Sequence, residues 1–180
     1  MADTVTDTTH RFAEAALDTM DHVDRLLDGG ATAAAGKIAF ADLYAYAVDP
    51  NHEPADRLLN ALDTDAGLQA DFQRLLRNTA RYYMPEVAAA SSGTLESREV
   101  DGCRIVFRPS RADPDQLYVI VEATADKAFN PEVLFVQFAD GRSRRAPLPG
   151  AQNGKVQILL DRNSDIATGL LDISTEVYVK

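Results

Sequence analysis

This chain of 180 residues has no tryptophan and a single cysteine, Cys103. A lone thiol closes no internal disulfide and cannot by itself build a structural zinc site. Positive charge is also scarce: 18 Lys and Arg stand against 28 Asp and Glu, a net charge of −10. That balance argues against nucleic acid as the main partner, because a phosphate backbone favours clustered Lys and Arg. Long apolar runs are missing, so no stretch reads as a membrane span. Met1-Ala2-Asp3-Thr4 lacks the basic and apolar regions of a signal peptide, and the expected location is the cytoplasm.

The usual signatures of catalysis are missing too. There is no G-x-S-x-G elbow, no Walker loop and no dinucleotide fingerprint. His10, His22 and His52 share no metal-binding spacing, and His52-Glu53 lacks the second histidine of a zinc-protease helix. Cys103 has no neighbouring base and reads as a small buried apolar residue. Asp161, Asn163 and Asp165 alternate oxygens as a calcium loop does, but the glycine and distal glutamate of an EF-hand are wanting. The segment reads as a turn, with Ser164 or Asp165 capping a short helical stretch through Ile166–Leu171. No catalytic residue, cofactor or metal ligand is expected.

What is present changes its pattern near Pro85. Phe12, Ala16, Met20, Val23 and Leu27 step by 4, 4, 3 and 4, the spacing of one helical stripe, and Gly29-Gly30 ends it before a small-residue stretch over 31–36. A second helix is expected from Lys37 to Val48, stopped by Asp49-Pro50. A third starts near Pro54 and uses Leu58, Leu59 and Leu62. The fourth, capped by Asp63 or Asp65, runs to Met84-Pro85 with Leu68, Phe72, Leu75, Leu76 and Thr79 inside.

After a linker at 86–93 the pattern is that of strands. Thr94–Val100 and Cys103–Arg108 flank Asp101-Gly102, and Glu132–Ala139 and Arg142–Leu148 flank Asp140-Gly141, both two-residue hairpin signals. Leu117–Ala123, Lys155–Leu160 behind Asn153-Gly154, and Thr175–Val179 complete about seven strands. The fold class expected is α+β: a helical domain over 1–85, then an antiparallel β-sandwich over 94–180, immunoglobulin-like or transthyretin-like. Residues 1–93 carry 7 basic and 15 acidic side chains, a net of −8, which would draw a basic partner to the helical half.

Candidate contact residues follow from charge and aromatic placement. Arg74, Arg77 and Arg81 form a stripe on the fourth helix, suited to carboxylates within the chain or on another protein. Arg142, Arg144 and Arg145 follow a hairpin turn, where they either guard an edge strand or form a docking surface. Tyr44, Tyr46, Tyr82 and Tyr83 suit either an interface or an internal seam.

The segment Ile38–Tyr83, through Asp42-Leu43-Tyr44-Ala45-Tyr46-Ala47, Pro54 to Leu62 and Asp65-Ala66-Gly67-Leu68-Gln69-Ala70-Asp71-Phe72, resembles the helical N-terminal domain of bacterial anti-sigma factors. The zinc-binding histidine and cysteines and the transmembrane helix of many members are absent here. The resemblance implies a zinc-free domain that grips a sigma factor. The functional expectation is therefore a non-enzymatic cytoplasmic adaptor or regulator acting through protein binding, its partner a sigma factor or another basic protein. A ligand-binding sandwich with a helical oligomerisation arm is the alternative, followed by an enzyme using paired carboxylates.

Overall fold

Short helices come first because their apolar faces have something to cover. A computed structural model describes residues 38–87 and 95–180. The expected helix over 12–28, the stretch 31–36, His10, His22 and most of the 86–93 linker lie outside the described residues. Three helices, α1 (Phe40–Val48), α2 (Asp56–Thr64) and α3 (Ala66–Thr79), are followed by β1 (Tyr82–Met84), β2 (Ser97–Val100), β3 (Cys103–Pro109), β4 (Gln116–Ala123), β5 (Val133–Gln137), β6 (Ser143–Pro147), β7 (Lys155–Asp161), α4 (Asp165–Leu171) and β8 (Glu176–Val179). Asp65 caps α3 by accepting from the Gly67 and Leu68 amides, and Ser164 caps α4 through the Ala167 amide.

The strands make two four-stranded antiparallel sheets, ordered β1-β8-β5-β6 and β2-β3-β4-β7. Both sheets bury one face in a common core: Met84, Leu134, Val136, Val177 and Val179 from the first, Cys103, Ile105, Phe107, Leu117, Val119 and Val121 from the second. The hairpin turns at Gly102 (φ +83°) and Gly141 (φ +90°) need left-handed backbone, which glycine adopts without Cβ strain. α4 closes one flank of this core with Ala167 and Leu170.

The other face of the first sheet is covered by helices. Every residue of β5 is buried, because α1 and α3 lie over the side facing away from the common core. Tyr46 of α1 stacks on Phe72 of α3 at 5.5 Å, and both meet Phe135 of β5 edge-on at 5.8 and 5.7 Å. Lys180 ties the layers from the sheet side, its Nζ donating to Ala47 O at 2.7 Å and Thr79 Oγ1 at 2.6 Å. Burial pushes that ammonium down to about 8.

Two expectations change. The helix expected to reach Met84 ends at Thr79, since Ala80 turns extended (φ −70°, ψ 140°) and the Arg81 amide donates to Val179 O at 3.0 Å. Tyr82–Met84 is consequently an eighth strand, paired with β8. Residues Ala41–Lys180 form one compact unit, so both described sides of the expected linker belong to the same body.

Candidate binding groove

The arginines separate into those that serve the fold and those that do not. Arg77 Nη2 donates to Glu176 Oε1 at 2.5 Å, and its guanidinium lies 5.5 Å over the Tyr83 ring. Glu176 also accepts from Gln73 Nε2 (2.8 Å), Tyr83 Oη (2.7 Å) and Tyr178 Oη (2.6 Å). Burial alone would raise its carboxyl, but the hydrogen bonds from Tyr178, Tyr83, Gln73 and Arg77 outweigh that and hold it below the usual range. The same burial and the Glu176 bond push the Tyr178 phenol up. This hub fastens α3 to β1 and β8.

The remaining sequence candidates are likewise engaged. Arg74 pairs with Asp71 at 3.2 Å and Arg81 with Asp126 at 3.7 Å. Arg142 pairs with Asp140 at 2.7 Å, holding that carboxyl below its ordinary value. Arg144 bridges Asp63 and Asp165 at 2.7 and 3.1 Å, joining α2 to the start of α4. Arg145 donates to the carbonyls of His52 (2.9 Å) and Asp49 (2.7 Å) and sits 5.2 Å over the Tyr46 ring. Tyr82 is buried edge-on to Phe129, Tyr83 stacks on Tyr178, and Tyr46 is in the aromatic seam. Tyr44 is exposed on α1. These contacts bring Arg77 and Tyr83 into one cluster and Tyr46 and Arg145 into another.

One further arginine is structural and was not anticipated. Arg98 of β2 is 2% exposed and donates to Leu170 O (2.9 Å), Thr175 O (2.9 Å), Thr175 Oγ1 (2.8 Å) and Asp172 O. It closes the C-terminal end of α4, where unpaired carbonyls collect and a cation is favoured. Burial pulls its guanidinium down to about 10, against the attraction of Asp172.

Arg108, Arg111 and Arg162 remain. None has a side-chain hydrogen bond or ion pair among the described residues, and all three lie at one end of the second sheet. Arg108 and Arg162, with Arg104, line a cavity of about 550 Å³ whose apolar walls are Leu95, Val106, Phe107, Leu117 and Leu171 and whose rim also has Glu96 and Ser97. The local sequence explains its shape. β2 stops short, so the last ladder bond beside it is Phe107 N to Glu96 O at 2.9 Å, and Pro109 then withholds the next edge donor. The nearby Asp113 and Asp161 hold their carboxylates on the backbone amides of Asp115 (3.0 Å) and Asn163 (2.7 Å). Arg104 is partly committed to Glu99 at 3.8 Å. Planar guanidiniums beside these apolar side chains suit a carboxylate attached to an aliphatic chain, with Glu96 the one lining charge that opposes it.

The groove has no histidine or cysteine in its lining. Cys103 is buried in the core, and desolvation raises its thiol to about 12. Among the described residues no His, Cys, Asp and Glu group has metal-site geometry, and no helix is long and apolar enough to cross a membrane. Sequence reading passed over Arg108 and Arg162 because neither sits in a charge cluster. Their available signal was strand alternation, which puts Arg108 outside while Phe107 points in. No protein-family model matches this chain, and neither a curated protein nor a solved structure matches it.

Proposed function

We propose that this chain is a non-enzymatic regulator or adaptor that grips an acidic segment of a partner protein in the groove at the end of its second sheet. The reading is carried by one observation: in a chain of net charge −10, Arg108 and Arg162 make no ion pair among the described residues and line one cavity with several apolar side chains and a single carboxylate, Glu96. The two sheets are read as a β-sandwich of immunoglobulin-like or transthyretin-like kind, with the cytoplasm as its setting. An anti-sigma-like regulator is the most concrete form of the proposal, its helices over 38–83 contributing the acidic surface a sigma factor or another basic protein would meet. The cavity volume also lies in the range of small-molecule sites, which supports a carboxylate-bearing amphiphile as the second reading.

The test is affinity capture from host lysate with the full chain and with an Arg108→Glu/Arg162→Glu variant, followed by titration of the captured protein. The variant should lose affinity by at least about tenfold, mainly through slower association, with an unchanged melting temperature. A partner held equally by both proteins would remove the groove from the mechanism. Thermal stabilisation by long-chain carboxylates, with no protein captured, would favour the second reading.

A further inference from the structure

The groove at the end of the second sheet offers hydrogen-bonding groups of a lopsided kind. Just past β3, Ser110 N donates to Gln116 O at 3.0 Å, so the even-numbered residues here bond toward β4. Phe107 and Pro109 therefore turn their backbone groups to the β2 side. Phe107 N is taken by Glu96 O at 2.9 Å, and Pro109 has no N–H to give. The carbonyls of both residues accept no hydrogen bond among the described residues. The end of β3 thus presents two acceptors and no donor. The free donors are side chains, the guanidiniums of Arg108 and Arg162.

The lining comes from the approach to β2, the end of β3, Leu117 of β4, Arg162 after β7 and Leu171 of α4. Phe107 and Leu117 are 6% and 2% exposed and belong to the common core. An apolar group entering from the rim therefore meets the core and goes no further. Such a recess suits the end of a chain better than its middle.

The hydrogen-bonding groups give the same answer. A segment passing through as an added strand needs an edge that both donates and accepts. Beside β3 its N–H groups would be matched and its carbonyls left bare. A chain terminus needs less. Its last amide donates, its carboxylate can be held by planar guanidiniums, and its side chain can fill the recess. A simple aliphatic carboxylate has the anion and the apolar body, but no donor for the two carbonyls or for Glu96.

Taking the groove as the partner's site, on which this step rests, we infer that it holds the C-terminal residue of the partner chain. That residue is aliphatic, with its α-carboxylate on Arg108 and Arg162 and its amide N–H on the carbonyl of Phe107 or Pro109.

The probe is a short acidic peptide ending in leucine, labelled at its N-terminus and titrated with the full chain by fluorescence anisotropy. The free acid should bind with a Kd between about 1 and about 100 μM. Amidating its terminus should weaken binding at least about tenfold, and N-methylating the last amide at least about threefold. Arg108→Glu/Arg162→Glu should weaken the free acid far more than the amide, with an unchanged melting temperature. Free acid and amide bound alike, and both weakened by the double variant, would overturn the terminal inference and leave the groove reading in place. Binding that the double variant leaves unchanged would overturn both. Free leucine competing as well as the peptide, or a free acid that does not bind up to about 1 mM, would also overturn the inference.

Discussion

Replacing Arg98 by methionine tests the closure of α4 most sharply. The substitution keeps an unbranched apolar stem of similar reach and removes every donor. Left behind are the carbonyls of Leu170, Asp172 and Thr175, which lose their charged partner in a site closed to water. Replacing a whole buried ionic network by apolar groups can be neutral, but here only one side is removed and the acceptors stay. A hydrogen bond from a charged donor is worth about 1.5–3 kcal/mol, and such bonds do not add when they share one guanidinium. The expected loss is about 3–5 kcal/mol, the range for breaking a buried charged pair. For a unit of this length the entropy of unfolding is about 0.3 kcal/mol/K, so the melting temperature should fall by about 10–17 °C. Arg98→Lys keeps the charge but reaches fewer of the carbonyls, and should cost about half as much. Equilibrium urea unfolding followed by tryptophan-free far-UV circular dichroism measures both. A methionine variant within about 1 kcal/mol of the parent, or a lysine variant no better than methionine, would refute the argument.

Two further predictions concern the same core. Glu176→Gln should cost about 2 kcal/mol at pH 7; because the folded carboxyl lies below its unfolded value, this stabilisation is present above the unfolded pKa and is lost as pH falls through the folded one. The difference between parent and variant should therefore shrink in unfolding measured near about pH 3, and a constant difference would show that charge plays no part. At Gly169 a Cβ would meet Val136 Cγ1 at 2.7 Å and Phe138 Cζ at 2.8 Å, so Gly169→Ala should destabilise by about 1–3 kcal/mol in the same assay, against the usual gain from alanine in a helix.

The first hairpin was readable because Asp101-Gly102 fixes both a turn and its register, Val100 pairing with Cys103. At Asp140-Gly141 the turn was readable but not the register, since Phe138 N donates to Arg142 O at 2.8 Å and Gln137 pairs with Ser143, a three-residue turn in place of the expected two-residue one. The caps at Asp65 and Ser164 were readable for a similar reason, since one side chain and the next few amides decide them. Residues 82–84 were not, because three residues directly after an amphipathic helix continue its apolar pattern and only a strand from the far end of the chain makes them a strand. Arg98 and Glu176 carried no signal of burial, since charge predicts exposure unless the carbonyls or donors that meet it are known. The groove was equally hidden. Arg108 and Arg162 are 54 positions apart, and only the pairing of β3 with β4 and β4 with β7 brings them to one end of the sheet.

The central place of β8 has a consequence for how the chain is made. β1 and β5 are both held through β8, yet β8 lies more than 90 residues beyond β1 in sequence. While a ribosome is still adding residues before 176, the first sheet can exist only as the β5–β6 hairpin, with β1 and one side of β5 unpartnered. Its closure must wait for Glu176–Val179 to emerge, and it then spans a long loop, a topology that folds slowly. Newly synthesised chains therefore pass through an interval in which two strands are open to a wrong neighbour, and the helices that will cover β5 have no finished surface to settle on.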